Sequence, residues 1–324
     1  MYIVTGGAGF IGSAFVWQLN QIGIDKILIV DNLSTSEKWK NLVGLRYKDY
    51  IHKESFLPLL TTEKLGKIKA IIHMGACSST TEKDADYLMS NNFHYSKTLA
   101  KYALSHDIRF IYASSAATYG DGSKGFDDNE KELESLRPLN MYGYSKHIFD
   151  LWLKRENLLS QVVGLKFFNV FGPNEYHKED MKSVVCKAYF QIKETGKIKL
   201  FKSYNPDYQH GEQKRDFVYV KDCTKIMSWL LEHPNVNGIF NVGTGKARSW
   251  NDLAKAVFRA MNLPENIEYI EMPKQLRGKY QYFTQANMQK LSATGCPCDF
   301  LSLEDAVLDY VQNHLSQDYP YLES

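Results

Sequence analysis

Through the first half of this 324-residue chain, short continuous apolar runs alternate with longer stretches whose apolar residues recur at helical spacing. Tyr2 to Thr5, Ile27 to Val30, Ala70 to His73, Phe110 to Ala113 and Val162 to Phe168 read as strands buried on both faces. Gly12 to Ile22, Asn91 to His106 and Met141 to Asn157 read as the helices between them. Uniformly apolar strands in alternation with helices predict an α/β class and a doubly wound parallel sheet, because only a sheet covered on both faces hides such strands.

Beyond about residue 170 the pattern becomes irregular. Gly172 to Asp180 and Asn205 to Gln213 are rich in polar and turn-forming residues and are expected to be surface loops. Phe217 to Val220 and Ile239 to Val242 are short apolar runs expected to return to the sheet. The organisation that follows is a dinucleotide-binding domain over 1–168, with 216–242 returning to it. A smaller, interleaved α+β lobe for substrate would comprise 169–215 and 243–324.

The first strand leads directly into TGGAGFIG, in which Gly6, Gly9 and Gly12 fall at the junction with the next helix. Glycines there let the backbone turn and approach a pyrophosphate, while the helix N-terminus offers free N–H groups. This is the Rossmann arrangement. Asp31 ends the second strand, 19 residues beyond Gly12, where a carboxylate accepts hydrogen bonds from an adenosine ribose. Asp31 alone favours NAD; Asn32, Lys38 and Lys53 supply groups that suit a 2′-phosphate, and the balance leans to NADP.

Tyr142 and Lys146 stand four residues apart in NMYGYSK, on one face of a predicted helix. A phenol titrates near pH ~10 and is a weak base at neutrality. An ammonium one turn away favours the phenolate, which makes the pair suited to moving a proton on and off a substrate hydroxyl. Tyr144 is two residues from Lys146 and does not share its face.

Composition narrows the class. Lys+Arg number 39 against 37 Asp+Glu, so no overall field favours nucleic acid or an anionic membrane. No run approaches the ~20 apolar residues of a membrane span, and no basic leader precedes the first strand, so a soluble cytoplasmic protein is expected. The five cysteines make neither a disulfide framework nor a zinc pattern: Cys296 and Cys298 flank a proline with no second pair, and no metal is expected.

TGGAGFIG, YASSAATYG and YGYSK together resemble the extended short-chain dehydrogenase/reductase family. Chemistry alone leaves Ser114 and Ser115 equal candidates as a third member of the site; the family register selects Ser115. It would hydrogen-bond the reacting oxygen while Tyr142 exchanges the proton and Lys146 binds the nicotinamide ribose. Over nearly the whole chain, NLVGL, HMGACSSTTEKD, SNNFHYSK, FFNVFGPNEYHK, KRDFVYV, FNVGTG and RGKYQYFTQA occur in an order that resembles the ADP-L-glycero-D-manno-heptose 6-epimerases.

That resemblance implies transient oxidation of the heptose at C6″ with bound NADP and return of hydride to the opposite face, for lipopolysaccharide core synthesis. Lys178 would be a second acid/base. NADP contacts would come from Gly6, Gly9, Phe10, Ile11, Gly12, Asp31, Asn32, Lys38, Lys53, Met74, Gly75, Ala76, Cys77, Ser78, Asn91, Lys146, Val170 and Lys178. Substrate would meet Ser115, Asn169, Asp180, Lys187, Phe201, Lys202, Ser203, Tyr204, Arg215 and Tyr280. A homopentamer is also implied. Met74, Asp180 and Lys187 depart from the family's usual glutamate, small hydroxyl residue and histidine. A nucleotide-sugar 4-epimerase, a 4,6-dehydratase and a non-catalytic NADP sensor are the competing readings.

Overall fold

The computed structural model describes residues 1–62, 64–277 and 280–324. Seven strands, β1 (Tyr2–Thr5), β2 (Ile27–Asp31), β3 (Asp49–His52), β4 (Ala70–His73), β5 (Arg109–Ser115), β6 (Val163–Phe167) and β10 (Gly238–Val242), form the main sheet in the order β10-β6-β5-β4-β1-β2-β3. Every pairing in it is parallel.

Adjacent residues of each strand serve opposite faces. Ile3, Leu28, Ile71, Phe110 and Tyr112 pack on one side, with Phe56 of α2 (Lys53–Leu60), Leu99 of α4 (Tyr95–Ser105) and Phe149 of α5 (Met141–Arg155). Val4, Ile29, Ile72, Ile111 and Leu165 pack on the other, with Phe15 of α1 (Phe10–Gln21) and Met227 of α7 (Val220–Glu232). A third core lies in the second lobe, between α6 (Val184–Thr195), α8 (Trp250–Ala260), the helix Leu303–Tyr310 and residues of β8 (Ile198–Phe201) and β9 (Lys214–Tyr219).

The sheet class follows the apolar pattern; several boundaries and one placement do not. The helix expected from Asn91 begins earlier, as α3 (Ala85–Leu88), and passes through a widened π-type turn at Met89–His94 before α4. β3 and α2 were not foreseen, since Asp49–His52 is half polar and carries no continuous apolar run. The run Ile239 to Val242 returns to the main sheet as edge strand β10, beside β6. Phe217 to Val220 does not: β9 pairs with β7 (Asn169–Phe171) and β11 (Ala247–Ser249) in a separate three-stranded sheet. An apolar run records burial and not which sheet buries it. β8 and β12 (Ile267–Ile270) make a two-stranded parallel pair.

The segment Gly172 to Asp180 also departs from expectation. Asn174 and Glu175 are fully buried. Their polarity serves the interior instead of solvent. Asn174 donates to Ser13 Oγ (3.0 Å) and accepts from Leu322 N–H (3.0 Å), tying the C-terminal residues to α1. Glu175 accepts from the Ser183 hydroxyl (2.7 Å) and N–H, from Tyr310 O–H (3.0 Å) and from Gly172 N–H (3.3 Å). Replacing Glu175 by alanine strands those buried donors; urea unfolding of Glu175→Ala is expected to show a loss of about 2–4 kcal/mol, with the three-stranded sheet and the lobe around Tyr310 affected together.

Candidate active site

The order of the main sheet reverses direction between β1 and β4, so their C-terminal ends open a crevice. Gly6 leaves β1 with φ +66°, and a Cβ on it would stand 2.6 Å from Gly75 N and Cα, in the turn that leaves β4. A Cβ on Gly12 would meet Gly6 O at 2.1 Å. The α1 N-terminus begins at Gly9 with no side-chain cap and no acidic residue in its first turn. Its free N–H groups and dipole therefore face the crevice without competition.

On one flank of this crevice, Thr5, Gly6, Asp31, Asn32, Lys38, Lys53, Gly75, Ala76, Cys77 and Asn91 line a single cavity of about 120 Å³. The Asp31 carboxylate is buried and accepts from Ala8 N–H (2.9 Å), Asn32 N–H (2.7 Å) and Lys38 Nζ (2.7 Å). Lys53 donates to Asn91 Oδ1 (2.7 Å) and lies over Tyr87. A dinucleotide fits these residues: a glycine cradle for the pyrophosphate, a carboxylate for the adenosine ribose, and two lysines at the same end. Phe10, Ile11 and Val170 form an apolar cluster nearby, Met74 packs into the core under the sheet, and Ser78 is exposed.

Ser114 and Ser115 part company at the end of β5. Ser114 is buried and donates to Asp150 Oδ2 (2.7 Å), toward α5's interior face. Ser115 caps the short turn Ala116–Tyr119, accepting from Ala117 N–H (3.1 Å), and its hydroxyl is close enough to the Tyr142 phenol to favour the phenolate. The strand's two-residue period thus leaves Ser115 as the available hydroxyl. Asn140 caps α5 by accepting from Gly143 N–H (2.8 Å). A Cβ on Gly143 would stand 2.8 Å from Ala117 O, so glycine lets the Tyr142 turn come up against the Ser115 turn.

Tyr142 and Lys146 share α5 as expected, but their electrostatics differ from the simple pair. Burial pushes the Tyr142 phenol above its usual range, and the Ser115 hydroxyl offsets this only in part. Lys146 is buried, donates to Ala113 O (2.8 Å) and is pulled down to about 8, mainly by desolvation and against the field of Asp150. The lone protein therefore holds a neutral phenol: burial dominates, Ser115 is what offsets it, and the expected lowering of Tyr142 by Lys146 is not found.

Lys178 enters from another element. The turn Tyr176–Met181 packs against Glu37–Leu42, with His177 Nδ1 3.3 Å from Asn41 Nδ2, and reaches Thr80, whose hydroxyl lies 4.0 Å from Met181 Sδ. Lys178 Nζ sits 5.2 Å from the Phe10 ring centroid at the start of α1. Burial lowers its pKa, opposed by Glu175. Glu179 follows with φ +45°, a left-handed conformation that a glutamate adopts only when its surroundings impose it.

The residues expected to meet substrate fall into two groups. Arg215 is buried between Trp250 (5.7 Å) and Tyr280 (5.2 Å) and donates to the carbonyl oxygens of Lys214 (2.8 Å) and Gln281. It has no carboxylate partner among the described residues. The neighbouring Asp216 does not pair with it; its carboxylate accepts from the N–H groups of Thr244 (2.7 Å), Gly245 (2.9 Å) and Ala286 (2.9 Å). Tyr280 accepts from Trp250 Nε1 (2.9 Å), and Tyr204 N–H donates to Tyr282 O–H (3.2 Å), bringing the segment from Phe201 toward Arg215. Ser203 N–H is held by His210 Nδ1 (3.1 Å), and Lys202 is paired with Glu271 (2.8 Å). Asn169, Asp180 and Lys187 are exposed, and Lys187 Nζ donates to the Asp180 carbonyl oxygen. Gly278 and Lys279 of RGKYQYFTQA lie outside the described residues.

Two residues that organise the site were missed. Asn92, in the widened turn before α4, accepts from Cys77 N–H (2.8 Å) and donates to Cys77 O (2.9 Å) and Ser145 Oγ (3.0 Å), joining the crevice to α5. Gln281 donates to Gly120 O (2.8 Å) while its own carbonyl holds Arg215. The sequence signal for Asn92 was an amide pair, Asn91–Asn92, inside an otherwise helical pattern. Gln281 gave none.

Residues 2–243 match the model of the NAD dependent epimerase/dehydratase family. The chain is 60% identical over 323 residues to the ADP-L-glycero-D-manno-heptose-6-epimerase of Nitratidesulfovibrio vulgaris, covering 99% of this chain and all of the relative. It is 52% identical over 332 residues to the protein of the same name from Fusobacterium nucleatum, again covering 99% of this chain and all of that one. Among solved structures, the Helicobacter pylori ADP-L-glycero-D-manno-heptose-6-epimerase superposes with a TM-score of 0.81 at 28% identity, over 96% of this chain and 95% of that one.

His73, at the end of β4, is wholly internal: Nδ1 meets Thr5 Oγ1 (2.6 Å), Nε2 meets Ser96 Oγ (2.7 Å), and burial lowers the ring to about 3. Its folded pKa lies below the ordinary 6.5, so its contribution is complete above pH 6.5 and is lost as pH falls toward 3. Stability should drop by about 1.4 kcal/mol per pH unit across that window from His73 alone. Urea titrations at several pH values should show this slope reduced by that amount in His73→Asn.

Proposed function

Because the chain belongs to the NAD dependent epimerase/dehydratase family, and within it stands with the ADP-L-glycero-D-manno-heptose-6-epimerases, we propose that it inverts C6″ of ADP-D-glycero-D-manno-heptose to give the L-glycero epimer. The observation that carries this is a pair of ionisable side chains on different elements: Tyr142 on α5 with Ser115, and the half-buried Lys178, its pKa lowered by desolvation, on the 176–181 turn.

A carbinol centre without an acidic C–H is inverted by removing and restoring hydride. When bound, the nicotinamide supplies that hydride exchange with no net redox change. The chain's own residues then manage the oxygen. Ser115 holds it at the end of β5, and Tyr142, a neutral phenol in the resting protein, is poised to donate on one face. Lys146, in cationic form, favours the phenolate when Tyr142 must accept instead. Presenting the other face of C6″ calls for a second group, the role we give Lys178, whose pKa desolvation lowers from the ordinary lysine range. Arg215, buried and free of acidic partners among the described residues, suits the diphosphate as a planar fork with flanking aromatic rings.

We assign NADP over NAD on the Lys38 and Lys53 ammoniums flanking Asp31; with Lys38 bound to Asp31, the carboxylate's repulsion of a 2′-phosphate is reduced. The family resemblance adds a cytoplasmic homopentamer serving lipopolysaccharide core heptose supply. A 4-epimerase would not need Lys178. A 4,6-dehydratase needs an acid/base pair beside Ser115, where Ala116 and Ala117 stand. A sensor without turnover would not need Ser115, Tyr142 and Lys146 to converge.

Following interconversion of the two ADP-heptose epimers tests the proposal: the wild-type protein should equilibrate them, and no interconversion overturns the function. Tyr142→Phe and Lys178→Met should each slow turnover by about 10²–10⁴-fold while keeping dinucleotide bound. Near-wild-type turnover in Lys178→Met removes Lys178 from the mechanism. In a separate binding titration, Lys38→Ala and Lys53→Ala should each weaken NADP by about tenfold and NAD by much less; equal losses for both would remove the 2′-phosphate assignment.

A further inference from the structure

Beneath the Ser115–Tyr142–Lys146 face lies a second, wholly internal set of polar groups that the mechanism above does not use. Asp150 is one helical turn beyond Lys146 on α5, and its side chain is fully buried. So is that of Lys166 on β6, whose Nζ lies 2.7 Å from Asp150 Oδ2. Tyr112 O–H donates to Asp150 Oδ1 (2.8 Å) and Ser114 Oγ to Asp150 Oδ2 (2.7 Å), both from β5. Lys166 Nζ also donates to Thr118 Oγ1 (2.6 Å), in the turn that Ser115 caps, and lies over the Tyr119 ring. One carboxylate thus joins α5, which carries Tyr142 and Lys146, to β5, which ends in Ser115, and to β6.

A buried ion pair of this kind is a poor source of stability, since desolvating both ions costs several kcal/mol and an apolar pair of similar volume often does as well. Its placement points elsewhere. Lys146 donates to the Ala113 carbonyl and has no carboxylate in direct contact among the described residues. Of the groups facing it, the Asp150 carboxylate from its own helix favours its cation, and Cys77 faces it from the turn after β4. His73 on β4 also feels Lys146, but remains neutral. Asp150 is in turn faced by Tyr112 on β5, Lys166 on β6, His147 on α5 and Tyr119 beyond β5.

We propose that Asp150 is a positioning residue for the epimerisation: clamped by Lys166, Tyr112 and Ser114, it fixes α5 against β5 and β6 and keeps Lys146 cationic one turn away. This rests on Tyr142 and Lys146 being the reacting pair, which Tyr142→Phe tests separately.

Asp150→Asn alone leaves Lys166 buried without its partner and can fail to fold. The decisive variant is therefore Asp150→Asn combined with Lys166→Met, which removes both charges. Activity that needs cationic Lys146 is present below its pKa and lost above it, so the paired variant, read against Lys166→Met alone so that the two differ only by the carboxylate, should have its alkaline limb of kcat at lower pH. A shift of about one pH unit is expected, with kcat lowered about fivefold at pH 8 and KM within about twofold. The conservative Tyr112→Phe, which deletes a hydrogen bond and no charge, should leave the limb in place. An unmoved limb in the paired variant overturns the proposal. So does failure of the paired variant to fold, because the network would then serve the core and not the reaction.

Discussion

No side chain fits between Gly6 and Gly75, and the rest of the site is built outward from that contact. A parallel sheet buried on both faces can present function only where its strands end, and here the strand order reverses between β1 and β4. The backbone of the first turn must rise from β1 in a left-handed conformation and pass directly against the turn leaving β4. With that approach made, the uncapped start of α1 faces the crevice, Asp31 is reached by Ala8 N–H, and the Cys77 turn is carried toward α5. A methyl group at Gly6 would separate these parts.

What holds the parts in register is a small number of side chains that each serve two motifs. Asn92 clamps the Cys77 turn to Ser145 on the catalytic helix. Asp216, in KRDFVYV, receives N–H groups from FNVGTG and from the TQA that ends RGKYQYFTQA. Gln281 spans from the Gly120 turn to the guanidinium of Arg215. Arg215 is carried on the small three-stranded sheet and the crevice lies at the strand ends of the large one, and these shared hydrogen bonds set one sheet against the other. The ordering of distant motifs along the chain is thereby given a physical cause.

The main sheet was legible because period and uniform burial leave a direct mark on composition: Ile71 and Ile72 serve opposite faces and are both apolar. The crevice was legible because glycine at a strand end has few other uses. Other features left no such mark. Asn174 and Glu175 look like loop residues, yet they are buried, with hydrogen-bonding partners, Ser13 and Tyr310, that lie far away in sequence. Phe217 carries the same apolar signal whether it joins the large sheet or the small one. The choice between Ser114 and Ser115 is invisible in the dipeptide and obvious once Asp150 is seen below it. The raised phenol of Tyr142 could not be read from its spacing to Lys146 either, because it is set by burial and burial is a tertiary property.

The central claim is that the Ser115–Tyr142–Lys146 face and the Lys178 turn act on one carbinol from which hydride leaves and to which it returns. ADP-D-glycero-D-manno-heptose carrying deuterium at C6″ tests this most directly, with the product analysed by mass spectrometry and NMR after turnover in ordinary water. The account predicts that the L-glycero product keeps its deuterium at C6″, since hydride held on a bound dinucleotide does not exchange with solvent. Replacement of that deuterium by solvent hydrogen would contradict it and point to proton abstraction from carbon instead.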